Sequence, residues 1–270
     1  MTIDGPSPMD LLLGGSCDAG GAVNDADVAR PLRLMLLGNF SLLKGADEIE
    51  LPMSAQRLVA LVALRERPLS RPYLAALLWP ECPPERSLAD LRTALWRANH
   101  YSTQVITTAG MRLCLRRDVQ VDVRVLKGFA RAVDRVGTKM VVALAEMSWV
   151  DLSLDLLPDW YDDWLVDERE SVRQLRLHAL ERVTEELSLS GRHAEAIQAA
   201  LAAVRLEPLR ETAHAALIKA HLAEGNRSEA LRQFYRCRDI LTAELAVEPS
   251  ESLRQLVSST AVPSETRLAG

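Results

Sequence analysis

The strongest constraint on the fold is an internal repeat in the second half of the chain. The segment GRHAEAI at residues 191–197 recurs as GNRSEAL at residues 225–231, so that a glycine, a glutamate and an alanine each return after 34 residues. That spacing is the period of tetratricopeptide-like helix hairpins, which stack on one another. Because about three hairpins are needed for a continuous core, we expect residues 149–190 to supply another one. This half of the chain is therefore predicted to be all α.

The first half begins with short strands and continues with helices. Residues 32–42 form an apolar run that ends near a Gly-Asn pair, and residues 45–52 alternate weakly, so we expect two or three short strands. Apolar residues then recur at helical spacing, with prolines in the first turn or at the end of a segment. The three predicted helices span residues 54–67, 70–81 and 85–100.

A hairpin follows the helices. Residues 104–116 contain two alternating stretches around Thr108-Ala109-Gly110, which is typical of a β-hairpin. Residues 119–126 predict one more extended piece. Strands, three helices and a hairpin in this order indicate a winged helix.

Charge is distributed unevenly along the chain, whose net value is −5. Residues 30–135 carry 17 Lys/Arg and 10 Asp/Glu, a balance of +7, whereas residues 136–270 carry 15 and 22, a balance of −7. A basic half is suited to a polyanion such as DNA. Residues 1–29 contain five acids and no base, are rich in Gly, Asp and Pro, and are expected to be disordered.

The third predicted helix carries the candidate DNA contacts. Leu88, Leu91, Leu95 and Ala98 form an apolar face, and the other side is basic and aromatic. Small residues allow close approach to base edges, arginine pairs with guanine or phosphate, and asparagine pairs with adenine. An ordinary polar helix face explains the helix pattern equally well, but a basic hairpin directly after it favours DNA. The candidate contacts are Arg86, Arg92, Thr93, Trp96, Arg97, Asn99 and His100 on the helix, and Arg112, Arg116 and Arg117 on the hairpin.

Signals for other chemistry are weak. The four cysteines include no C-x-x-C pair, and His214 and His221 share a helix face without a third ligand at matching spacing. Neither a glycine-rich phosphate loop after a strand nor a G-x-S-x-G elbow occurs in the sequence. We therefore predict no enzyme activity, no cofactor and no metal site. Because no apolar run reaches membrane-spanning length and no secretory signal is recognisable, we expect a cytoplasmic protein without membrane contact.

The segment LPDWYDDWLVDERE at residues 157–170 concentrates aromatics and acids. Adjacent carboxylates beside aromatic rings are compatible with a glycosidase or a metal site, which need acids in different environments. The alternative is an aromatic anchor, made of Trp160, Tyr161 and Trp164, at the start of a helix. In that case the acids suit the positive end of the helix dipole.

Several of these segments together resemble one known family. The stretches LRLMLLGNF, LLWPECPPERSLADLRTALWRANH, WYDDWLVDERE and EPLRETAHAALIKAHLAEGNRSEALRQ are similar, in this order, to the Streptomyces antibiotic regulatory proteins. The resemblance covers about residues 32–257. It implies a fold that is mainly α with a small β component, in which a winged helix of the response-regulator effector type precedes an all-α, tetratricopeptide-like activation domain. The implied boundaries are a disordered leader at 1–30, the winged-helix DNA-binding domain at 31–126, the bacterial transcriptional activation domain at 127–258 and a disordered tail at 259–270.

The resemblance also implies a function. Members of this family bind double-stranded DNA at direct repeats near promoters and recruit RNA polymerase holoenzyme, usually for a secondary-metabolite gene cluster such as one for antibiotic biosynthesis. We therefore expect a nucleoid-associated transcriptional activator that acts as a homodimer or as side-by-side copies on DNA. Trp160, Tyr161 and Trp164 are expected to hold the first helix of the activation domain against the repeat stack, with partner binding as the alternative.

One departure from the family favours a different function. Relatives often end the third helix with a Leu-Arg-Arg type sequence, but this chain has Ala98-Asn99-His100. The alternative hypothesis is therefore a helical-repeat interaction module whose winged helix no longer binds DNA.

Overall fold

The computed structural model describes residues 32–100, 104–133 and 154–258, without the side chains of 131–133. The leader and tail expected at the two ends lie outside these residues. The chain divides into two compact units. The first contains the residues up to Gly128 together with Leu154–Val172, and the second contains Phe129–Ser153 and the chain from Arg173 onward.

In the described residues of the first unit, seven short strands form two sheets. In the larger sheet the order is β3-β2-β1-β7, with β1 antiparallel to β2 and parallel to β7. In the smaller sheet the order is β4-β6-β5, and both pairings are antiparallel. The strands are β1 (Leu32–Met35), β2 (Ser41–Lys44), β3 (Asp47–Glu48), β4 (Leu69–Ser70), β5 (Ile106–Ala109), β6 (Arg112–Leu115) and β7 (Gln120–Val121).

Three helices lie between β3 and β5 in the sequence, as predicted, and β4 separates the first of them from the second. They are α1 (Met53–Arg65), α2 (Arg71–Leu78) and α3 (Pro84–His100). Helix α1 is buried along most of its length because α2, α3 and β6 all pack against it. Pro72 lies in the first turn of α2, where its missing N–H is not needed by the helix. The strands, three helices and hairpin confirm the predicted fold class for this half.

The extended piece predicted at residues 119–126 is wrong beyond β7. A further helix, α4 (Asp122–Val133), begins there. Val123, Leu126 and Ala130 are all buried, at helical rather than strand spacing. Asp122 is the first residue of this helix, and its Oδ1 accepts a hydrogen bond from the N–H of Val123 at 2.7 Å.

The second unit contains only helices in its described part. Helix α6 packs on α7, α7 packs on α8, and α9 packs on both α7 and α8. Each copy of the repeat begins at a turn glycine with positive φ, 75° at Gly191 and 89° at Gly225, and ends in the following helix. The period of 34 residues therefore corresponds to two helices. The helices are α5 (Trp164–Leu189), which begins in the first unit, α6 (His193–Leu206), α7 (Glu211–Glu224), α8 (Arg227–Leu245) and α9 (Glu251–Ser258).

The additional hairpin predicted at residues 149–190 is wrong over its described part. Residues 154–163 are irregular, and α5 then continues without interruption to Leu189. The sequence of α5 contains no glycine or proline that could form a turn. Residues 149–153 lie outside the described part.

A buried histidine connects two helices of the second unit. His214 on α7 has no exposed surface; its Nε2 lies 2.9 Å from the Pro208 carbonyl oxygen, and its Nδ1 lies 2.6 Å from the Gln233 amide on α8. Burial lowers the pKa of His214, the Pro208 hydrogen bond raises it, and the charges of Arg236 and Glu211 act in opposite directions. The ring is therefore neutral in the fold, with Nε2 donating and Nδ1 accepting.

Acidification should consequently destabilise the second unit. The unfolded chain takes up a proton at this histidine near a pKa of about 6.5, whereas the folded chain does so only at lower pH. The free energy of unfolding, measured by urea titration, should be constant at pH values above about 6.5 and should decrease as the pH falls below that value. His214→Gln should show a flatter pH dependence, and identical slopes in both proteins would contradict this assignment.

Candidate nucleic-acid interface

Helix α3 buries one stripe and exposes the opposite one. Ser87, Leu91, Ala94 and Ala98 are buried. The predicted core residues Leu88 and Leu95 are only partly buried, so the core stripe is rotated slightly from the predicted one. The exposed surface includes Arg86, Arg92, Thr93, Trp96 and His100, while Arg97 is half-buried.

An aromatic pair lies on the exposed side of α3. Trp96 is 58% exposed, and its ring stacks on His100 with centroids 4.4 Å apart and planes 21° from parallel. Arg92 lies one turn before Trp96. A shallow cleft beside the helix is lined by Arg71, Arg92, Leu95, Trp96, Asn99 and His100.

Arg71 in this cleft was missed by the sequence analysis. It is the first residue of α2 and directly follows β4, where Ser70 pairs with Arg112 of β6. The sequence signal for it was weak, because a cation at a helix start is usually unfavourable to the helix dipole. Its position brings one more cation to the cleft beside α3.

Asn99 does not fit the predicted adenine contact. Its Nδ2 donates to the Ile106 carbonyl oxygen at 2.9 Å, and its Oδ1 accepts from the Ile106 N–H at 3.0 Å. Both polar atoms of the amide are thus bound to the first residue of β5. Asn99 therefore connects α3 to the hairpin, and we withdraw it from the base-contacting residues.

The hairpin β5–β6 has the position of a wing. Ala109 pairs with Arg112, and the turn between them is Gly110-Met111. Arg112 and Arg117 are exposed. In contrast, Arg116 is only 20% exposed and forms a two-bond ion pair with Asp118, at 2.5 and 2.8 Å. Its charge is therefore already compensated.

The other arginines of this surface differ from Arg116. Among the residues that the structure describes, no carboxylate lies within ion-pair distance of them. A cation without an acidic partner keeps its full charge for an anion that binds from outside. These arginines are Arg86, Arg92, Arg97, Arg112 and Arg117.

The aromatic segment at residues 157–170 contacts described residues of the first unit. Trp160 is only 8% exposed and stacks on Phe40 with centroids 6.0 Å apart. Trp164 is buried, and its Nε1 donates to Asp162 at 3.1 Å. Tyr161 is 93% exposed. Two of the three aromatics are therefore structural parts of the winged-helix unit.

The acids of this segment do not form a paired catalytic site. Asp162 accepts a hydrogen bond and ion pair from Arg57 of α1, and Glu168 lies 3.2 Å from Arg65 of the same helix. Asp163 is exposed. Arg57 and Arg65 are two turns apart on α1, so the ion pairs fix the segment along one side of this helix.

Backbone hydrogen bonds attach the same segment to the end of β1. The Gly38 N–H donates to the Asp155 carbonyl at 2.7 Å, and the Leu157 N–H donates to the Leu36 carbonyl at 2.9 Å. Arg169 of α5 then donates to the carbonyls of Leu156, Leu157 and Trp160. The irregular stretch before α5 is thereby held in place at both ends.

Other candidate chemistry receives no support from the described residues. In that part of the chain no group of three or more His, Cys, Asp or Glu residues is placed to hold a metal ion. None of its helices combines the length and apolar character needed to cross a membrane. Burial raises the pKa of the Cys237 thiol to about 11, so this cysteine is protonated at neutral pH.

Comparison with known proteins shows which proteins this chain resembles. The model of the bacterial transcriptional activator domain matches residues 130–259. Regulatory protein AfsR of Streptomyces griseus is 27% identical over 243 residues, which is 84% of this chain and 24% of that protein. The chain is therefore similar to the Streptomyces antibiotic regulatory proteins, as the sequence predicts. It spans about a quarter of the length of AfsR.

A solved structure has a similar fold. The structure of Mycobacterium tuberculosis EmbR in complex with a low-affinity phosphopeptide aligns with a TM-score of 0.62 at 22% identity. The alignment covers 85% of this chain and 64% of the EmbR chain. The matched domain model is that of a bacterial transcriptional activator domain, which agrees with the predicted class of regulator.

Removal of the Asn99 amide should destabilise the winged helix. Asn99→Ala leaves the N–H and carbonyl of Ile106 without their partners, which costs about 1–3 kcal/mol for partly buried polar groups. Urea unfolding measures this loss. Thr93→Ala is the control, because its exposed hydroxyl bonds only to the Ala89 carbonyl of its own helix. A neutral effect of Asn99→Ala would return this residue to the candidate base contacts.

The two neighbouring aromatics of the WYDDW segment should differ in their effect on stability. Trp160→Ala removes a buried ring from its contact with Phe40 and should cost about 3–5 kcal/mol. Tyr161→Ala should change the free energy of unfolding by no more than about 0.5 kcal/mol, because the side chain is exposed. Thermal and urea unfolding of the two variants compare them directly. Equal losses would mean that the exposed position of Tyr161 is wrong.

Proposed function

We propose that this chain is a sequence-specific DNA-binding transcriptional activator in which α3 enters the major groove. The observation that carries the proposal is the exposed side of α3, where Arg86, Arg92 and Trp96 face outward and the arginines have no acidic partner among the described residues. A helix with this surface fits the width of the groove, and arginine recognises guanine or phosphate there. Arg112 and Arg117 of the wing are suited to neighbouring phosphates.

The opposite charges of the two halves favour DNA binding by one half and a different role for the other. The half with a balance of +7 would be attracted to DNA, whereas the half with a balance of −7 would be repelled by it. We assign activation to the acidic helical half, in which stacked tetratricopeptide-like helices offer an extended surface to a protein. RNA polymerase holoenzyme is the proposed partner, because the family consists of transcriptional activators.

The proposed arrangement on DNA is side-by-side copies on direct repeats near a promoter. The regulated genes would be a secondary-metabolite cluster, such as one for antibiotic biosynthesis, and the chain would act at the nucleoid. These finer assignments rest on the family, to which AfsR belongs, and AfsR is much longer than this chain.

The second candidate function is a helical-repeat interaction module without DNA binding. Its support was the Ala98-Asn99-His100 sequence at the end of α3, which lacks the arginines of many relatives. In the structure, Asn99 holds the hairpin and His100 stacks on Trp96. Both residues thus have roles that are compatible with DNA binding, and the observation favours the first function.

Arginine removal from α3 should weaken DNA binding without unfolding the chain. Arg92→Ala and Arg97→Ala should each cost about 1–3 kcal/mol if the side chain makes a bidentate base contact, or reduce the salt slope by about one unit if it meets a phosphate. Fluorescence anisotropy against the promoter region of neighbouring genes, at several salt concentrations, measures both quantities. The matched control is Arg254→Ala on α9, an exposed arginine of the other unit.

The outcomes separate the two candidate functions. Loss of affinity for the α3 variants but not for Arg254→Ala supports the proposed interface. Unchanged affinity and salt slope in both α3 variants would exclude α3 as the reading helix. If the unaltered chain shows no specific binding, the interaction module becomes the better description.

The spacing of the half-sites should control cooperative binding. Two copies that read the same face of DNA need sites about one helical turn apart, ~10–11 base pairs. Insertion of about half a turn should abolish cooperativity, because the second copy would then face the opposite side. Gel-shift titrations of the duplexes with the original and the half-turn spacing measure the cooperativity. A duplex with a complete turn inserted is the control. Equal cooperativity at the half-turn spacing would contradict side-by-side docking.

A further inference from the structure

Trp96 is an apolar side chain exposed in the middle of a polar surface. It lies on the outward side of α3, between Arg92 one turn earlier and His100 one turn later, and more than half of it is accessible. The stack on His100, at 4.4 Å between centroids, restricts the rotation of the indole. An exposed ring that is held in one orientation is already prepared for a contact with an apolar group.

The residues around Trp96 indicate what kind of molecule carries the apolar group that contacts it. Arg71 and Arg92 line the same cleft as Trp96, so the cleft combines an apolar ring with two cations. The Asn99 amide in the cleft is occupied by Ile106 and cannot turn toward a base. The cleft therefore offers cations for phosphate or guanine and one apolar surface.

We propose that Trp96 reads the 5-methyl group of a thymine in the major groove. This inference rests on the proposed function and specifies what α3 recognises. The thymine C5-methyl is the methyl group that base edges present in the major groove, where cytosine has only a C5–H at the matching position and the remaining groups are hydrogen-bond donors or acceptors. Contact with the indole buries the methyl, and Arg92 and Arg71 of the same cleft bind phosphate or guanine groups nearby.

Replacement of thymine by deoxyuridine tests the contact, because it removes the methyl and keeps every hydrogen-bonding group. The probe is a duplex that the full chain selects from a random-sequence library, with each thymine replaced in turn. One thymine in each half-site should show binding that is about fourfold weaker after replacement, which corresponds to about 0.8 kcal/mol for one buried methyl-sized group. Fluorescence anisotropy at constant salt measures the ratio.

Two variants assign the effect to the indole. In Trp96→Ala, the ratio between thymine and deoxyuridine at that position should fall to about one, while ratios at other positions stay unchanged. Arg92→Ala is the control: it should weaken both duplexes equally and keep the fourfold ratio. Because Trp96 is exposed, its replacement should leave the melting temperature unchanged, and a circular dichroism melt verifies this.

The results distinguish this inference from the proposed function. If the chain binds selected duplexes specifically but no thymine replacement weakens binding, methyl recognition is wrong and the proposed function stands. If the ratio persists in Trp96→Ala, another side chain reads the methyl and this inference is overturned. If no specific duplex is recovered at all, the proposed function and the thymine contact both fail.

Discussion

The buried carboxylate of Asp122 is the interaction on which the winged-helix unit depends. Its Oδ2 accepts hydrogen bonds from the backbone N–H groups of Leu36 and Leu37 at 2.7 and 2.8 Å. Its Oδ1 accepts one from the N–H of Val123 in the first turn of α4. A buried charge is tolerated only when hydrogen bonds replace its lost hydration, and three backbone donors do so here. The carbonyl of Leu36 in turn binds Leu157. The end of β1 therefore joins the sheet, α4 and the aromatic segment.

Helix α1 extends this constraint to the proposed DNA surface. It packs against α3, and it also carries Arg57 and Arg65, which pair with Asp162 and Glu168. An ion pair with partly buried partners is screened less by salt than an exposed one. The aromatic and acidic residues after position 157 thus contribute to the support of the unit that presents α3, although the domain model of the family begins at residue 130.

The sequence predicted the helices and the repeat, which follow from local periodicity. It did not predict the side-chain contacts between residues that are distant in the sequence. The 34-residue repeat and the exposed arginine stripe of α3 were recognisable because helical spacing is repeated every few residues. The partner of Asn99 in the hairpin, and the stacking of Trp160 on Phe40, join residues whose proximity no pattern encodes. Helix α4 was missed for a different reason. The valines at 119, 121, 123 and 125 alternate as in a strand, but the helix begins at Asp122, in the middle of this pattern.

The contacts of Asn99 and His100 explain what the sequence Ala98-Asn99-His100 does at the end of α3, where relatives often have a Leu-Arg-Arg type sequence. Two arginines there would add attraction to phosphates, a contribution that is equal for every DNA sequence. Asn99 instead fixes β5 to α3 by two hydrogen bonds, and His100 restricts the rotation of Trp96. A fixed geometry reduces the entropy lost on binding and makes a poor fit to a wrong sequence more costly. We therefore expect this chain to have weaker nonspecific attraction than relatives with two arginines, and sequence discrimination that relies more on the orientation of α3 and its wing.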